Sequence, residues 1–527
     1  MRILITEPLS AAGLSILEDA GAVVEQRKLS QEALIENVCN YDALIVRSGT
    51  QVTREVIEAG TDGGGGLRVI GRAGTGVDNI DLKAATERGV IVVNAPTANC
   101  IAAAEHTVAL MTALARNIPQ ADAAMRRGEW DRHRFIGVAL VDKTLGIIGL
   151  GRVGSEVARR ARGLGMRVVA YDPYFPPERA AAMGVPLLSL REVLEQGDFI
   201  TLHAPLTANT HHLINRRTIG WMRNGAFLIN AARGDLVDEP ALSKALEAGK
   251  LAGAALDVFS TEPPKDSPLV GHPRVITTPH LGASTVEAQE GVSIEIAQAV
   301  LAALQGDLVA SAVNAPMVSP ETLASLAPYV DLAERLARLA IQLGPAGPSE
   351  VRVTYSGDAA GPGDTRLLKA AVIKGLLEPI SEQRINVVNA ELIAQQRGLQ
   401  IIEEKRPALE TWPDSITIRL TDGQRREVQG AISRGRPRVV RISDFWIDLE
   451  LNGCILLCQN QDRPGMIGQV GMLLGREQVN ISFMQVGRDH PRGQAVMAIG
   501  LDEVPPAGLL AEIEAIPDIS QALLVRM

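Results

Sequence analysis

Short apolar runs rich in β-branched residues alternate with segments of helical spacing over the first 95 residues of the chain. Four of these runs have the length and composition of buried parallel strands. They are Arg2–Thr6, Ala43–Val46, Val69–Gly71 and Val90–Asn94. The segments between them, such as Ser10–Ala20 and Gln31–Val38, carry apolar residues at helical intervals. Strands that alternate with helices in this way are typical of a parallel sheet.

The alternation continues after an alanine-rich segment, Cys100–Arg116, whose length predicts a long buried helix. A strand at Thr144–Gly149 leads into a helix at Arg152–Arg162 and then into a strand at Arg167–Tyr171. Four further strands are predicted, each with a helical stretch before it. They are Phe199–His203, Ala226–Asn230, Gly253–Asp257 and Val275–Thr278. We therefore expect an α/β fold with a doubly wound parallel sheet.

The character of the chain changes beyond Pro320. Residues 320–450 combine two helical stretches with strand-like alternation such as Ile416–Leu420. From Gly453 onward the pattern predicts strand–helix–strand–strand–helix–strand. Because 527 residues exceed what one core accommodates, we expect three or four domains, the last two of them small and of the α+β class.

Charge and composition exclude several classes of partner. The 52 basic and 61 acidic residues give a net charge of −9, which disfavours nucleic acid or an anionic membrane as a partner. The segment Met1–Glu7 resembles a strand and lacks the apolar centre of a signal peptide, so a cytoplasmic location is expected. Four scattered cysteines fit a reducing compartment, and Cys454-x3-Cys458 lacks a second ligand pair, so no metal site is predicted.

A dinucleotide-binding pattern follows the strand that begins at Thr144. Gly149 suits a tight turn, Gly151 lets the backbone approach a pyrophosphate, and Gly154 lets the next helix pack closely on the strand. Asp172 ends the following strand, where a carboxylate binds the ribose diol of NAD and repels the 2′-phosphate of NADP. The alternative is a glycine-rich turn without a ligand, but the strand, helix and acidic residue all occur at the required spacing. NAD is the predicted cofactor.

Three polar side chains follow later strands of the same predicted sheet. His280 suits a base that accepts a hydroxyl proton, and Glu262 suits a partner that orients its imidazole ring. Arg233 suits bidentate binding of a substrate carboxylate. Each alone has a simpler interpretation, as a structural histidine or a solvated surface charge. Ligands bind at the carboxyl ends of strands in open α/β sheets, so their shared position favours a catalytic set.

These segments also resemble the D-isomer-specific 2-hydroxyacid dehydrogenase family. The motifs that carry the resemblance are Gly149–Gly154, Asn230–Gly234, Asp257–Pro264, Pro279–Thr285, Ile45–Ser48, Arg72–Asp81 and Pro96–Asn99. The resemblance implies that Arg233, Glu262 and His280 are catalytic. It also implies an NAD site whose lining, beyond the glycines and Asp172, comprises Thr75, Arg152, Val153, Ala204, Ala231, Ala232, Asp257, Gly282 and Ala283.

The resemblance further implies a domain arrangement that chain order does not reveal. A Rossmann-like cofactor domain, residues 98–284, is inserted into a flavodoxin-like substrate domain formed by residues 1–97 and 285–315. An intervening domain at 316–451 and an ACT regulatory domain at 452–527 then follow. The basic stretch Arg434–Arg441 in the intervening domain suits either an anion or a solvated strand face.

Within this family the motifs are most similar to those of enzymes that oxidise D-3-phosphoglycerate to 3-phosphohydroxypyruvate, the first step of the phosphorylated route to L-serine. Such a substrate carries a phosphate in addition to its carboxylate, and therefore needs several cations. The residues expected to bind it are Arg47, Ser48, Arg72, Asn99, Arg132 and Arg134. The last two arginines are expected to act across a dimer interface, and the family resemblance implies a homotetramer.

The segment Asn460–Gly465 resembles the effector loop of an ACT domain. The resemblance implies a small amino acid such as L-serine at Asn460, Asp462 and Asn480, across a domain dimer. Some relatives carry a histidine in this loop where the present chain has Asn460 nearby, and a purely dimerising domain is the alternative. Two alternatives to the whole function also stand: a dehydrogenase for glyoxylate, hydroxypyruvate, D-lactate or 2-hydroxyglutarate, and a non-catalytic NAD-sensing protein.

Overall fold

Four β-sheets organise the chain in the computed structural model, which describes residues 1–307, 309–316, 320–344, 347–360, 364–381, 384–421, 425–506 and 508–527. The first two sheets are entirely parallel and the last is entirely antiparallel. The expected α/β class with smaller C-terminal α+β units is confirmed. Among the described residues, no helix combines the length and apolar character needed to span a membrane.

The first sheet has the strand order β2-β1-β3-β4-β5 of flavodoxin-like folds. Its strands are β1 (Arg2–Ile5), β2 (Val23–Gln26), β3 (Ala43–Val46), β4 (Val69–Arg72) and β5 (Ile91–Asn94). Its helices are α1 (Ala11–Asp19), α2 (Gln31–Asn37), α3 (Arg54–Thr61) and α4 (Leu82–Glu87). The pattern of apolar residues did not predict β2. This strand lies at the edge of the sheet, leaves Val23 62% exposed and contains no buried residue.

The second sheet has six parallel strands in the order β7-β6-β8-β9-β10-β11. They are β6 (Thr144–Ile148), β7 (Arg167–Tyr171), β8 (Phe199–Leu202), β9 (Ala226–Asn230), β10 (Leu251–Leu256) and β11 (Val275–Thr277). Its helices are α5 (Cys100–Ala115), α6 (Ile118–Arg126), α7 (Arg152–Gly163), α8 (Pro177–Ala182), α9 (Leu190–Gln196), α10 (Arg216–Trp221) and α11 (Glu239–Glu247). The strand order reverses between β6 and β8, and the carboxyl ends flanking such a point form a ligand crevice.

One connection in this sheet differs from the predicted pattern. Helices precede β8, β9 and β10 as expected, but residues 258–274, all described, form turns rather than a helix before β11. The expectation of a helix before every strand was therefore wrong at this point. The irregular segment carries Glu262 to the carboxyl end of the sheet.

Helix α12 (Val286–Gln305) returns the chain from the second sheet to the first. Its apolar face, including the fully buried Ile296 and Val300, lies across β4. Gly71 on β4 makes this approach possible, because a Cβ atom there would lie 2.6 Å from the Val300 side chain. The first sheet and α12 thus share the hydrophobic core on one face of that sheet.

The remaining chain forms two further sheets. The third sheet has the order β13-β12-β14-β15-β16-β17, and the fourth has the order β19-β20-β18-β21. The third unit comprises α13 (Pro320–Gln342), β12 (Glu350–Ser356), α14 (Arg366–Leu377), α15 (Ala390–Gln396), β13 (Gln400–Arg406), β14 (Ser415–Thr421), β15 (Arg425–Ser433), β16 (Arg436–Ile442) and β17 (Phe445–Glu450). The fourth comprises β18 (Cys454–Gln461), α16 (Met466–Arg476), β19 (Ile481–Arg488), β20 (Gln494–Leu501), α17 (Leu509–Glu514) and β21 (Ile519–Arg526). The predicted element order of the fourth unit is confirmed, whereas the described residues of the third unit form three α-helices where two helical stretches were expected.

Candidate active site

The glycine-rich turn between β6 and α7 has the geometry of a phosphate-binding loop. Gly149 adopts a φ of 93°, and a Cβ atom there would lie 2.6 Å from the backbone of His203. A Cβ atom on Gly154 would lie 2.1 Å from the carbonyl oxygen of Gly149, so the close packing of helix on strand requires glycine. At Gly151 a Cβ atom would meet nothing within 4 Å, which leaves open space before the start of α7.

The first turn of α7 faces this open space. Its N-cap is Gly151, and no side chain caps the helix. The first backbone N–H groups of such a helix lack intrahelical acceptors and bind anions readily. Arg152 and Val153 lie in this first turn, and Ala204 follows β8 directly beside Gly149. These residues fit a dinucleotide pyrophosphate.

Asp172, at the end of β7, accepts hydrogen bonds from the glycine-rich turn and from residues just after itself. One carboxylate oxygen accepts a hydrogen bond from the backbone N–H of Leu150 at 2.9 Å. The other accepts from Tyr174 N–H at 2.9 Å and from Phe175 N–H at 3.1 Å. The carboxylate is only half-buried, so its remaining lone pairs are accessible to a ribose diol beside the turn.

His280 and Glu262 form a hydrogen-bonded pair at the rim of a cleft. The Nδ1 atom of His280 lies 2.8 Å from Oε2 of Glu262, and Oε1 of Glu262 accepts from the backbone N–H of Phe259 at 3.2 Å. Burial opposes ionisation of Glu262, but the hydrogen bonds and the attraction of the imidazolium outweigh it, so the pKa of Glu262 lies below its ordinary value. The pair therefore joins an imidazole to an ionised carboxylate.

A fully buried carboxylate, that of Asp257, holds the loop that carries His280. Its two oxygens accept hydrogen bonds from the Thr278 hydroxyl at 2.6 Å, Leu281 N–H at 2.7 Å and Gly282 N–H at 2.9 Å. The His106 ring nitrogen also lies 3.1 Å from this carboxylate. Burial would raise the pKa of Asp257, but these donors prevail and lower it. Asp257 lies beneath the loop, where it fixes His280 at a φ of 55°.

Arg233 projects from the end of β9 toward the first sheet. Its Nε donates to Oδ2 of Asp78 at 2.8 Å, and one terminal nitrogen donates to the carbonyl of Ala232 at 2.7 Å. Gly76 makes room for the guanidinium, because a Cβ atom there would lie 1.6 Å from Nη2 of Arg233. Sequence reasoning did not assign Asp78 or Gly76 a role, since both act only through this contact between the two sheets.

Two more arginines, Arg47 and Arg72, converge on the same cleft. Burial, together with the charges of Arg233 and Arg47, lowers the pKa of Arg72 to about 10. The Nε of Arg72 is buried and has no hydrogen-bond partner among the described residues. A cluster of guanidinium groups that repel one another and retain an unused donor is suited to an anionic ligand.

The cleft has a volume of about 610 Å³ and is lined by residues from both parallel sheets. Many of the site residues predicted from the sequence meet there, and Thr75 is linked to Asn99 by a 2.9 Å hydrogen bond. Those that line the cleft are Arg47, Ser48, Arg72, Thr75, Asn99, Arg233, Glu262, His280 and Ala283. The buried Gly282 belongs to the His280 loop, and Ala231 and Ala232 follow β9 just before Arg233.

Arg132 and Arg134 do not reach this cleft within one chain. Both are exposed on the segment after α6, and Arg134 pairs with Glu129 at 3.2 Å. Neither residue lines the cleft among the described residues. The described residues of one chain therefore do not bring these two arginines to the candidate site.

The three predicted effector residues do not form one site within one chain either. Asn460, near the end of β18, is paired through β20 with the end of β19 at Arg488. Asn480 precedes the start of β19, which is paired through β20 with Cys454 at the other end of β18. At ~3.3 Å per residue along a strand, Asn480 and Asn460 are roughly 20 Å apart. Asp462 forms an ion pair with Arg488 at 3.0 Å.

Three family models match successive parts of the chain. Residues 108–282 match the NAD binding domain of D-isomer specific 2-hydroxyacid dehydrogenases. Residues 325–443 match the D-3-phosphoglycerate dehydrogenase intervening domain, and residues 455–518 match the ACT domain. The order of these matches follows the order of the second, third and fourth sheets.

Full-length relatives decide the family. The chain is 51% identical over 544 residues to D-3-phosphoglycerate dehydrogenase 3, chloroplastic, of Arabidopsis thaliana, with 100% of this chain and 92% of that protein covered. It is 44% identical over 529 residues to D-3-phosphoglycerate dehydrogenase of Methanocaldococcus jannaschii, with both chains covered completely. The chain belongs to the D-3-phosphoglycerate dehydrogenase family.

Solved structures of related dehydrogenases match the first part of the chain. A glyoxylate reductase from Paecilomyes thermophila is 32% identical with a TM-score of 0.55, and the match covers 59% of this chain and 98% of that one. D-lactate dehydrogenase from Aquifex aeolicus, solved with NAD and lactic acid, is 28% identical with a TM-score of 0.53, over 58% of this chain and 96% of that one. The C-terminal units thus extend a dehydrogenase core found in related enzymes.

The substitution Gly76→Ala tests the position of Arg233. The added methyl group occupies the place of the guanidinium, which moves because it is the flexible end of a side chain. We expect kcat/KM with the 2-hydroxy acid substrate to fall about 10²-fold, since displacements of about 1 Å have such effects. Thermal unfolding should change little, because Gly76 has no positive φ.

The matched control is Gly220→Ala in α10, where a Cβ atom meets nothing within 4 Å. Steady-state kinetics of both variants show whether the position of the Arg233 guanidinium affects turnover. Unchanged kinetics in Gly76→Ala would show that the guanidinium position seen here has no part in turnover.

Proposed function

We propose that the cleft oxidises D-3-phosphoglycerate to 3-phosphohydroxypyruvate with NAD, which is the first step of the phosphorylated route to L-serine. The observation that carries this proposal is that the His280–Glu262 pair and three arginines share one cleft between the cofactor-binding sheet and the first sheet. A base, a carboxylate partner and a surplus of cations are what the oxidation of a phosphorylated 2-hydroxy acid requires.

His280 is the proposed base. Glu262 is ionised and bonds Nδ1, so Nδ1 carries the proton and Nε2 keeps the lone pair that accepts the hydroxyl proton of the substrate. As the proton arrives, the Glu262 carboxylate stabilises the imidazolium that forms, as the carboxylate does in a hydrolase triad. Asp257 keeps the ring in place through the backbone of its loop.

NAD, when bound, supplies the nicotinamide ring that accepts the hydride from the substrate carbon. The open space at Gly151 and the uncapped start of α7 fit its pyrophosphate, and Asp172 fits its adenine ribose. The residues proposed to hold the cofactor are Thr75, Gly149, Gly151, Arg152, Val153, Gly154, Asp172, Ala204, Ala231, Ala232, Asp257, Gly282 and Ala283. Of these, Asp257 acts through the loop it holds, because it is fully buried.

Different arginines bind the carboxylate and the phosphate of the substrate. Arg233 binds the carboxylate in place of Asp78, its present partner. Arg47 and Arg72, assisted by Ser48 and Asn99, bind the phosphate, and the unused Nε of Arg72 gains an acceptor. Arg132 and Arg134 are proposed to contribute from a second subunit.

The same arginines disfavour the first alternative, a dehydrogenase for glyoxylate, hydroxypyruvate, D-lactate or 2-hydroxyglutarate. Three of those acids carry a single carboxylate, which would leave two guanidinium groups in the cleft uncompensated. The intact His280–Glu262 pair disfavours the second alternative, a non-catalytic NAD sensor, which has no use for a base at that position.

The wider organisation is part of the same proposal. We propose a substrate-binding domain of residues 1–97 and 285–315, an NAD-binding domain of 98–284, an intervening domain of 316–451 and an ACT domain of 452–527. The core shared by α12 and the first sheet supports the discontinuous first domain. A cytoplasmic location and a homotetramer complete the proposal; the exposed Arg132 segment is one surface that a second subunit would cover.

The ACT domain is proposed to bind L-serine between two copies. The buried Oδ1 of Asn460 has no hydrogen-bond partner among the described residues, so it can accept from the amino group of an effector. Asp462 is available once the effector displaces Arg488, and Asn480 would come from the other copy. The separation of Asn480 from Asn460 within one chain favours a site built by two subunits.

The substitution His280→Ala tests the base. Because a positioned general base contributes about 10²- to 10⁴-fold to turnover, we expect kcat for NADH formation to fall by that factor while the Kd for NAD stays the same. His272→Ala, on a turn outside the described cleft lining, is the control and should keep full kcat. A kcat within twofold of wild type in His280→Ala would remove His280 from the mechanism.

Serine sensitivity tests the proposed effector site. L-serine should lower NADH formation from D-3-phosphoglycerate, D-serine should not, and Asn460→Leu should abolish the inhibition because it removes the orphan acceptor at similar volume. The uninhibited kcat of the variant should equal that of wild type. Inhibition that is unchanged in Asn460→Leu, or absent in wild type, would contradict this site and favour a purely dimerising ACT domain.

A further inference from the structure

Two loops of the cofactor-binding unit run side by side at the edge of the catalytic cleft. The residues before α10 form a parallel bridge, Ile214 with Val237, to the turn that follows Arg233. The backbone N–H of His212 donates to the carbonyl of Asp235 at 2.7 Å, and that of Ile214 donates to Leu236 at 2.9 Å. The backbone therefore fixes His211 and His212 beside Asp235.

The side chains of these three residues lie close together. One ligand atom from each of His211, His212 and Asp235 lies within 4.8 Å of the other two. The two imidazole rings stack with their centroids 4.0 Å apart. Within the described part of the chain, none of the three side chains has a hydrogen-bond or ion-pair partner. Three potential ligand groups thus lie together, and the ring stacking is the contact that metal binding would have to replace.

Two imidazoles and one carboxylate form a ligand set suited to zinc and neighbouring divalent metals. Ligand atoms lie ~2.0–2.1 Å from zinc, so the three side chains need to approach by roughly 1 Å. Because His211 is exposed and the other two residues are half-buried, the side chains have room to rotate out of the ring stack toward one ion. We propose that His211, His212 and Asp235 bind one divalent first-row transition metal ion at the rim of the catalytic cleft.

The proposed ion would connect the catalytic arginine to a second loop. Asp235 lines the cleft and lies two residues after Arg233, whereas the histidines follow Leu206, another cleft residue. Occupancy therefore clamps the Arg233 turn to the loop before α10, and water fills the remaining coordination positions. Residue spacing does not predict this site, because the histidine pair and Asp235 match no recognised ligand pattern.

Titration with Co²⁺ tests the site directly. Metal-free, untagged full-length protein should bind one equivalent of Co²⁺ per chain with visible absorption bands typical of nitrogen and oxygen ligands. His211→Ala should weaken this binding at least about 10-fold, since an exposed ligand is lost without disturbing the backbone bridge. His490→Ala is the matched control, because that exposed histidine also lies beside an aspartate, at 3.1 Å from Asp489.

Exchange of backbone amide hydrogens provides a second measurement of metal binding that does not rely on the visible absorption of Co²⁺. Saturating Zn²⁺ should slow exchange of the Gly234–Val237 amides at least about 3-fold in wild type and leave His211→Ala unchanged. Co²⁺ binding that His211→Ala does not weaken, or that His490→Ala weakens equally, would identify adventitious surface binding and overturn the proposal. Unchanged exchange in wild type under saturating Zn²⁺ would overturn it as well.

Discussion

The carboxylate of Asp257 is the contact on which the geometry of the active site depends. It is fully buried at the end of β10 and accepts hydrogen bonds from the backbone of the loop that begins at His280. A buried charge is tolerated only when it is fully hydrogen-bonded, so the loop and the carboxylate stabilise each other. The same arrangement places His280 2.8 Å from Glu262 on the preceding connection. The buried carboxylate of Asp257 thus holds the loop from which His280 bonds the exposed carboxylate of Glu262.

Charge is distributed unevenly across the cleft. The chain is acidic overall, with a net charge of −9. Three arginines nevertheless line one cleft, namely Arg47, Arg72 and Arg233, and Asp78 pairs with Arg233. Burial and mutual repulsion make this cluster costly without an anion, as the lowered pKa of Arg72 indicates. A substrate with two anionic groups relieves that repulsion, which links affinity for a phosphorylated acid to the construction of the cleft itself.

Much of the fold could be predicted from the sequence, and so could the meeting of several candidate residues in one cleft. His280, Glu262 and Arg233 were proposed because each follows a strand of a parallel sheet, where side chains converge, and all three line that cleft. Asp78 and Gly76 were missed because they act only through contact between two sheets that are distant in sequence. The edge strand β2 was missed because it is not buried. The structure of one chain does not bring the predicted residues Arg132 and Asn480 to the sites expected for them, because both lie away from those sites.

Selection of a phosphorylated acid by the arginine cluster is tested most directly by comparing kcat/KM for D-3-phosphoglycerate and D-glycerate in wild type and Arg47→Ala. The formation of NADH is the measured signal. We expect wild type to prefer the phosphorylated acid strongly. We also expect Arg47→Ala to lose about 10- to 100-fold in kcat/KM for that substrate alone, as expected for one charged hydrogen-bond donor. Arg27→Ala, on the exposed edge after β2, should change neither value. Equal kcat/KM for the two acids in wild type, or equal losses for both in Arg47→Ala, would show that the arginine cluster does not select the phosphate.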